Sequence, residues 1–221
     1  MPGVFLQGPK GVGKTTVLFT VLNSCVRHTR WQSPCGPGLC APNLRRLKVG
    51  GFGVKRVFSR EGRVGLDMID LLTRERARLV AIHPDGKRTM YREAFVKIGL
   101  PAIERAVRLA DIVVMDELGK IELGVPLFTT AVLDILAGPV PVAGVLKDES
   151  NPFLDAVRAM PGVRVITVSP GSRERASREL NDAIEDLFTR YPQTPRQEED
   201  SPSPGCPRNA TTRTGSERSR F

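Results

Sequence analysis

The sequence predicts an α/β fold of three layers, with a mainly parallel sheet between helices. Three observations carry that prediction. Short apolar runs alternate with amphipathic helical stretches along most of the 221 residues. One run, Ile112-Val-Val-Met115, lacks polar alternation, as expected of a strand covered on both faces. The first run leads through a glycine-rich turn directly into a helical stretch.

Taken in order, Val4 to Gln7 is a short apolar strand ended by Gly-Pro. A helix is expected from about Lys14 to Arg27, with Val17, Leu18, Val21 and Leu22 on one face. Residues 28–47 carry Pro and Gly throughout and read as a loop or insertion. Val49 to Phe58 and Arg63 to Leu72 read as strands of a hairpin around Arg60-Glu-Gly62. Further strands are expected at Arg78 to Ile82 and Met90 to Val96, with His83-Pro-Asp-Gly86 as a turn.

Pro101 opens a helix bearing Ile103, Val107 and Ala110. After the 112–115 strand, Pro126 opens a helix through about Leu136, and Val140 to Leu146 is a strand. Ser150 is expected to cap a helix that has Pro152 in its first turn. Val163 to Val168 is a strand, and a last helix carries Ala176, Leu180, Ile184, Leu187 and Phe188. Residues 192–221 hold five Pro and five Arg with almost no large apolar side chains, so a disordered tail is expected there. The folded domain is expected over residues 1–191.

Composition narrows the classes. Hydrophobic residues make up 40% of the chain and charged residues 26%, enough to bury a core and unlike a disordered or fibrous protein. No run approaches the roughly 18 apolar residues of a membrane helix, so no membrane partner is expected. Four irregularly spaced Cys do not form a secreted disulfide framework, which points to a reduced, cytoplasmic compartment. The strand beginning by Val4 leaves no space for a targeting peptide within this sequence. Residues 1–60 hold ten Lys or Arg and no Asp or Glu, whereas the rest is nearly balanced. Such a basic face attracts phosphates, whether of nucleotides or nucleic acid. Nucleic acid gains no support from aromatics, which are only 5% of the chain.

Gly8, Pro9, Lys10, Gly11, Val12, Gly13, Lys14 and Thr15 match G-x-x-x-x-G-K-[ST] between a strand and a helix, which makes this stretch a P-loop. Backbone N–H groups of such a loop close around phosphates. Lys14 reaches the β- and γ-oxygens, and the Thr15 hydroxyl is a Mg²⁺ ligand. The helix N-terminus adds partial positive charge. Lys10 and Thr16 are lesser candidates for phosphate contact.

This chemistry needs an acid at the end of a neighbouring strand. Asp116 supplies it as the second Mg²⁺ ligand. Glu117 follows and is the candidate general base for the attacking water. Leu118 and Gly119 complete the expected nucleotide-binding set. Lys120 either approaches the γ-phosphate or pairs with Glu117 or Glu122. Arg63, Arg88 and Arg92 are all candidates for a charge-stabilising arginine, and the sequence does not choose among them.

Gly8 to Thr16, taken with Asp116-Glu-Leu-Gly-Lys-Ile-Glu122, resembles the small nucleoside-triphosphatases first described in thermophiles and known in animals as the cancer-related type. That family's second signature is D-E-[IL]-G-K-[ML]-E, met here with Ile121 at the variable place. The stretch ending Arg63-Val-Gly65-Leu66-Asp67 is similar to its G-x-R-x-G-F-D, with Leu66 in place of Phe. The resemblance spans about residues 3–190. It implies the three-layer P-loop NTPase fold with an added hairpin, and Mg²⁺-dependent hydrolysis of ATP, GTP and other nucleoside triphosphates to diphosphate and phosphate. It also implies slow turnover and loose base preference. Residues 28–47, the tail, and Arg92-Glu-Ala-Phe95 depart from the family pattern.

Other classes are open to the residues alone. Asp116-Glu-Leu-Gly119 satisfies the D-x-x-G of regulatory GTPases, but no N-K-x-D follows. A nucleotide kinase would need a second substrate pocket. A nucleotide-gated RNA-binding protein would use the basic first quarter. Cys25, His28, Cys35 and Cys40 form C-x2-H-x6-C-x4-C, four potential Zn²⁺ ligands at a non-standard spacing. A monomer is favoured.

Overall fold

In the computed structural model, residues 3–27, 47–60 and 62–190 are described. Eight strands form a single sheet: β1 (Gly3–Gln7), β2 (Val49–Ser59), β3 (Gly62–Asp70), β4 (Arg76–Ile82), β5 (Arg88–Met90), β6 (Ile112–Leu118), β7 (Val142–Leu146) and β8 (Val163–Thr167). Their order across the sheet is β5-β4-β3-β2-β6-β7-β1-β8. The block from β2 through β8 is parallel. β3, β4 and β5 extend it as an antiparallel meander. The expected mainly parallel sheet with an added hairpin is therefore present.

Among the described residues five α-helices cover the sheet: α1 (Lys14–Arg27), α2 (Leu100–Leu109), α3 (Pro126–Ala137), α4 (Pro152–Ala159) and α5 (Arg173–Arg190). α1 and α5 pack on one face through Leu18, Leu22, Leu180 and Ile184. α2, α3 and α4 pack on the other through Ile103, Phe128 and Leu154. β6 shows why its sequence does not alternate. Ile112 and Val114 enter one core while Val113 and Met115 enter the other. Burying a side chain of that size contributes roughly 1.5–3 kcal/mol, so each added polar residue here would be costly. Among the described residues no helix is long and apolar enough to cross a membrane.

Three sequence expectations are corrected. The strand expected over Met90 to Val96 exists only as β5, and Phe95–Gly99 instead winds into a wide helical turn leading into α2. Ala94 and Phe95 are buried there, with the Phe95 ring 4.9 Å from that of Phe128, and a helical turn brings both adjacent residues inward. The strand from Arg63 ends at Asp70 rather than Leu72, because the Asp70 carboxylate accepts the Leu72 and Thr73 N–H groups at 2.7 and 3.2 Å and turns the chain. Asn151, not Ser150, caps α4: its side-chain oxygen accepts the Leu154 N–H at 2.9 Å. Ser150 donates to Asp155 instead. Residues 28–46 and 191–221, which contain most of the expected insertion and all of the expected tail, lie outside the described residues.

Asp70 also receives Arg105 of α2, which ties the end of β3 to that helix. Asp70 is only 1% exposed, so the guanidinium is its necessary counter-charge. Arg105→Ala leaves that charge buried and unpaired. Urea denaturation should show a loss of about 3–5 kcal/mol; a change below about 1 kcal/mol would mean the pair does not hold α2 in place.

Candidate active site

The P-loop links β1 to α1. Gly8, Gly11 and Gly13 have φ of +151°, +83° and +101°, a region that L side chains rarely enter. At Gly8 space forbids a side chain as well: a Cβ would fall 2.1 Å from the Val168 carbonyl oxygen. These conformations turn the loop back on itself, so that Lys14 Nζ donates to the carbonyls of Gly8 and Pro9 at 2.7 and 3.2 Å. Lys14 is buried, whereas Pro9, Lys10, Gly11, Thr15 and Thr16 are exposed at the loop surface. Val12 packs into the α1–α5 core.

The second half of the site is delivered by β6. Thr15 Oγ1 donates to Asp116 Oδ1 at 2.9 Å, across 101 positions of sequence. Glu117 Oε1 lies 3.6 Å from Lys14 Nζ, with about a third of its side chain exposed. The pairing of β6 with β7 is irregular between Asp116 and Leu118, which frees Glu117 from the ladder beside the loop. The two motifs therefore meet. Leu118 is fully buried in the core, and Gly119 lies against the Lys147 side chain.

Lys120 is exposed and closes no ion pair among the described residues. Neither the expected pairing with Glu117 nor that with Glu122 forms. Glu122 is 2% exposed, with Oε2 lacking a hydrogen-bond partner. Of the three candidate arginines, Arg88 is on the exposed edge strand β5, and Arg92 covers Gly124. Arg63 is half-buried on β3 with Nε unpartnered.

Three basic residues escaped the sequence reading. Arg173, at the start of α5, donates from Nε to the Val12 carbonyl at 2.6 Å and leans over Gly13. Lys147 follows β7 and takes a place beside Gly119. Arg158 of α4 donates to Gln7 Oε1 and to the Glu149 carbonyl, at 2.9 and 2.8 Å, joining the ends of β1 and β7. A signal for Lys147 did exist, since it stands just past a parallel strand, at the end of the sheet where such folds bind ligands.

Burial governs the local electrostatics. Asp116 is pushed up to about 7, first by desolvation and also by Glu117, against the Thr15 hydrogen bond and Lys14. Glu122 is likewise pushed up to about 7 by desolvation, against backbone N–H groups of Glu122 and Gly119 and the charge of Lys147. The oxygen donors of Thr15 and Asp116 form a hard, partly preformed set that suits Mg²⁺ alongside substrate phosphates. Among the described residues no cluster of three or more His, Cys, Asp or Glu gathers as a metal site. The Cys25, His28, Cys35 and Cys40 set lies outside the described residues, the Cys25 side chain included.

A glycine-rich loop closed on a buried lysine, facing a strand that ends in two carboxylates, defines a P-loop nucleotide-binding protein. The chain belongs to the NTPase family, whose model matches residues 40–181. It is 30% identical to the nucleoside-triphosphatase THEP1 of Thermofilum pendens over 192 residues, covering 84% of this chain and 96% of that one. The THEP1 of Methanocaldococcus jannaschii is 30% identical over 69% of this chain and 82% of its own. In fold it resembles the solution structure of a human cancer-related nucleoside triphosphatase, with TM-score 0.61 and 24% identity over 84% and 98% of the two chains. The crystal structure of THEP1 from Aquifex aeolicus gives TM-score 0.60 at 20% identity, over 86% and 99%.

The raised carboxyl of Glu122 has a consequence for stability. Its pKa moves from 4.5 unfolded to about 7 folded, so within that window the folded chain holds a proton that the unfolded chain has released. Stability from this group is full below the unfolded value and declines as pH rises towards 7. In Glu122→Gln, the drop in Tm between about pH 5 and pH 8 should shrink, with the variant the more stable protein at the alkaline end. An unchanged pH profile in differential scanning calorimetry would show that the group is not buried as described.

Proposed function

We propose that the chain hydrolyses nucleoside 5'-triphosphates, ATP and GTP among them, to the diphosphate and phosphate, with Mg²⁺ as cofactor. The observation that carries this reading is the Thr15–Asp116 contact, which brings the phosphate loop and the acidic strand to one point. Residues 1–191 form the catalytic unit.

Phosphates enter the loop under its N–H groups and the first turn of α1. Lys14 exchanges the Gly8 and Pro9 carbonyls for phosphate oxygens. Thr15 and Asp116 would hold Mg²⁺, which when bound would neutralise charge that develops on the phosphate oxygens. Glu117 accepts a hydrogen bond from the attacking water. The water oxygen bonds to the γ-phosphorus while the bond to the bridging oxygen breaks. The bridging oxygen leaves with the electron pair on the diphosphate, and Glu117 takes the proton. Glu117 must first part from Lys14, and phosphate binding drives that exchange because the phosphate oxygens become the better partners for the ammonium.

A shallow groove of about 320 Å³ lies where β8 leads into α5, lined by Thr167, Ser169, Ser172, Arg175, Ala176 and Glu179. It holds hydroxyls and one Arg175–Glu179 pair but no aromatic ring to stack on a base.

Lys14→Ala should weaken nucleotide binding by two or more orders of magnitude in isothermal titration. Glu117→Gln should keep affinity within about threefold and lose roughly 10²–10⁴ in kcat. Phosphate release from a panel of ATP, GTP, CTP and UTP checks both, with EDTA expected to abolish it. Unchanged turnover in Glu117→Gln removes that carboxylate from the chemistry, and release dependent on an acceptor molecule would mean a kinase instead.

A further inference from the structure

We propose that Lys147 is a further catalytic residue, whose ammonium contacts the terminal phosphoryl group of the bound nucleotide. The proposal rests on the hydrolase reading above and adds a group to it from a third strand.

Position is the first argument. β7 lies between β1, which carries the phosphate loop, and β6, which ends in Asp116 and Glu117. Lys147 is the first residue beyond β7. Adjacent strands are about 4.8 Å apart, so the two known halves of the site straddle this one residue. A γ-phosphoryl gripped by Lys14 and Thr15 and faced by Glu117 has its oxygens over the end of β7.

The second argument is that Lys147 is held there. Its N–H donates to the Leu118 carbonyl at 2.9 Å, and its own carbonyl accepts Arg158 Nη2 at 3.3 Å. Arg158 also holds the Glu149 carbonyl and Gln7, and Gln7 donates to Asp148 at 2.9 Å. Backbone on both sides of Lys147 is thereby fixed to β1 and β6.

The side chain is the third. It crosses Gly119 so closely that a Cβ there would stand 2.5 Å from Cδ and 2.8 Å from Nζ. Gly119 thus leaves a path along which the Lys147 stem reaches the backbone just beyond Glu117. Lys147 is half-buried and closes no ion pair among the described residues. Glu122, close enough to feel its charge, holds its carboxylate against backbone N–H groups instead. An uncommitted ammonium at this edge has an anion as its natural partner. Negative charge grows on the oxygens around the γ-phosphorus as the bridging bond breaks, and a fixed cation there stabilises the transition state more than the ground state. Lys147 moves no proton; Glu117 takes the proton of water as before.

The test compares binding of ADP with binding of ADP plus aluminium fluoride, a mimic of the transferring phosphoryl, by isothermal titration with Mg²⁺ present. Wild type should bind the mimic complex much more tightly than ADP. Lys147→Met should keep its ADP affinity within about threefold, lose most of that preference, and lose about 10²–10³ in kcat with little change in KM. Lys147→Arg should recover part of both. Gly119→Ala, which displaces the lysine without removing it, should move both readouts in the same direction, with circular dichroism confirming that each variant is folded. A Lys147→Met protein that retains the wild-type preference, or a wild type that shows none, overturns the proposal. A preference lost in Lys147→Met alongside no phosphate release from wild type would support the lysine contact and reject turnover as the function.

Discussion

Everything in the site depends on one hydrogen bond between segments far apart in the chain, from Thr15 Oγ1 to Asp116 Oδ1. The strand that leads into the loop before Thr15 and the strand that carries Asp116 are not neighbours, because β7 separates them. Two strand spacings amount to about 9.6 Å, too far for either backbone to reach the other. Side chains close the gap: a threonine from the first turn of α1 and a carboxylate from the last residues of β6. The sheet must therefore be in register across β1, β7 and β6 before the site exists, and the pairs Leu6 with Val145 and Asp116 with Val145 set that register. Folding and site assembly are the same event here.

The burial that stiffens this arrangement also makes it electrostatically tense. Asp116, Glu117 and Glu122 bring three carboxyl groups to one edge of the sheet, and two of them are held well above their ordinary pKa by desolvation. Lys14 and Lys147 are the cations nearest to them. The loop lysine meanwhile rests on two carbonyls and a carboxylate.

Much of the fold was legible because its signals are periodic or local. The P-loop spacing, the unbroken apolar run of β6 and the hairpin turn at Arg60 to Gly62 each carry a pattern that a short window contains. The glycine-rich loop and the two carboxylates that lie beside it were legible for the same reason. Phe95 was misread as part of a strand, since Met90 to Val96 has apolar residues at both spacings and partners distant in the chain, Phe128 among them, favour the helical turn. Ser150 and Asn151 are both good caps, and a one-residue choice between them depends on where Leu154 must be buried. Arg173 and Arg158 carry no local pattern, and Lys147 has only its place just past a strand. Their placement follows from strand order, and β7 passing between β1 and β6 is a non-local fact.

The antiparallel meander bears on how the molecule meets its neighbours. A parallel sheet ending at β2 would leave a long strand with its backbone groups open to any passing chain. Here the sheet tapers instead through β3 and β4 to β5, three exposed residues with Arg88 at one end. So brief a rim, with a guanidinium standing in it, offers little for another sheet to zip onto. The strands added beside the nucleotide machinery thus also serve as a guard against the runaway strand pairing that seeds fibrils.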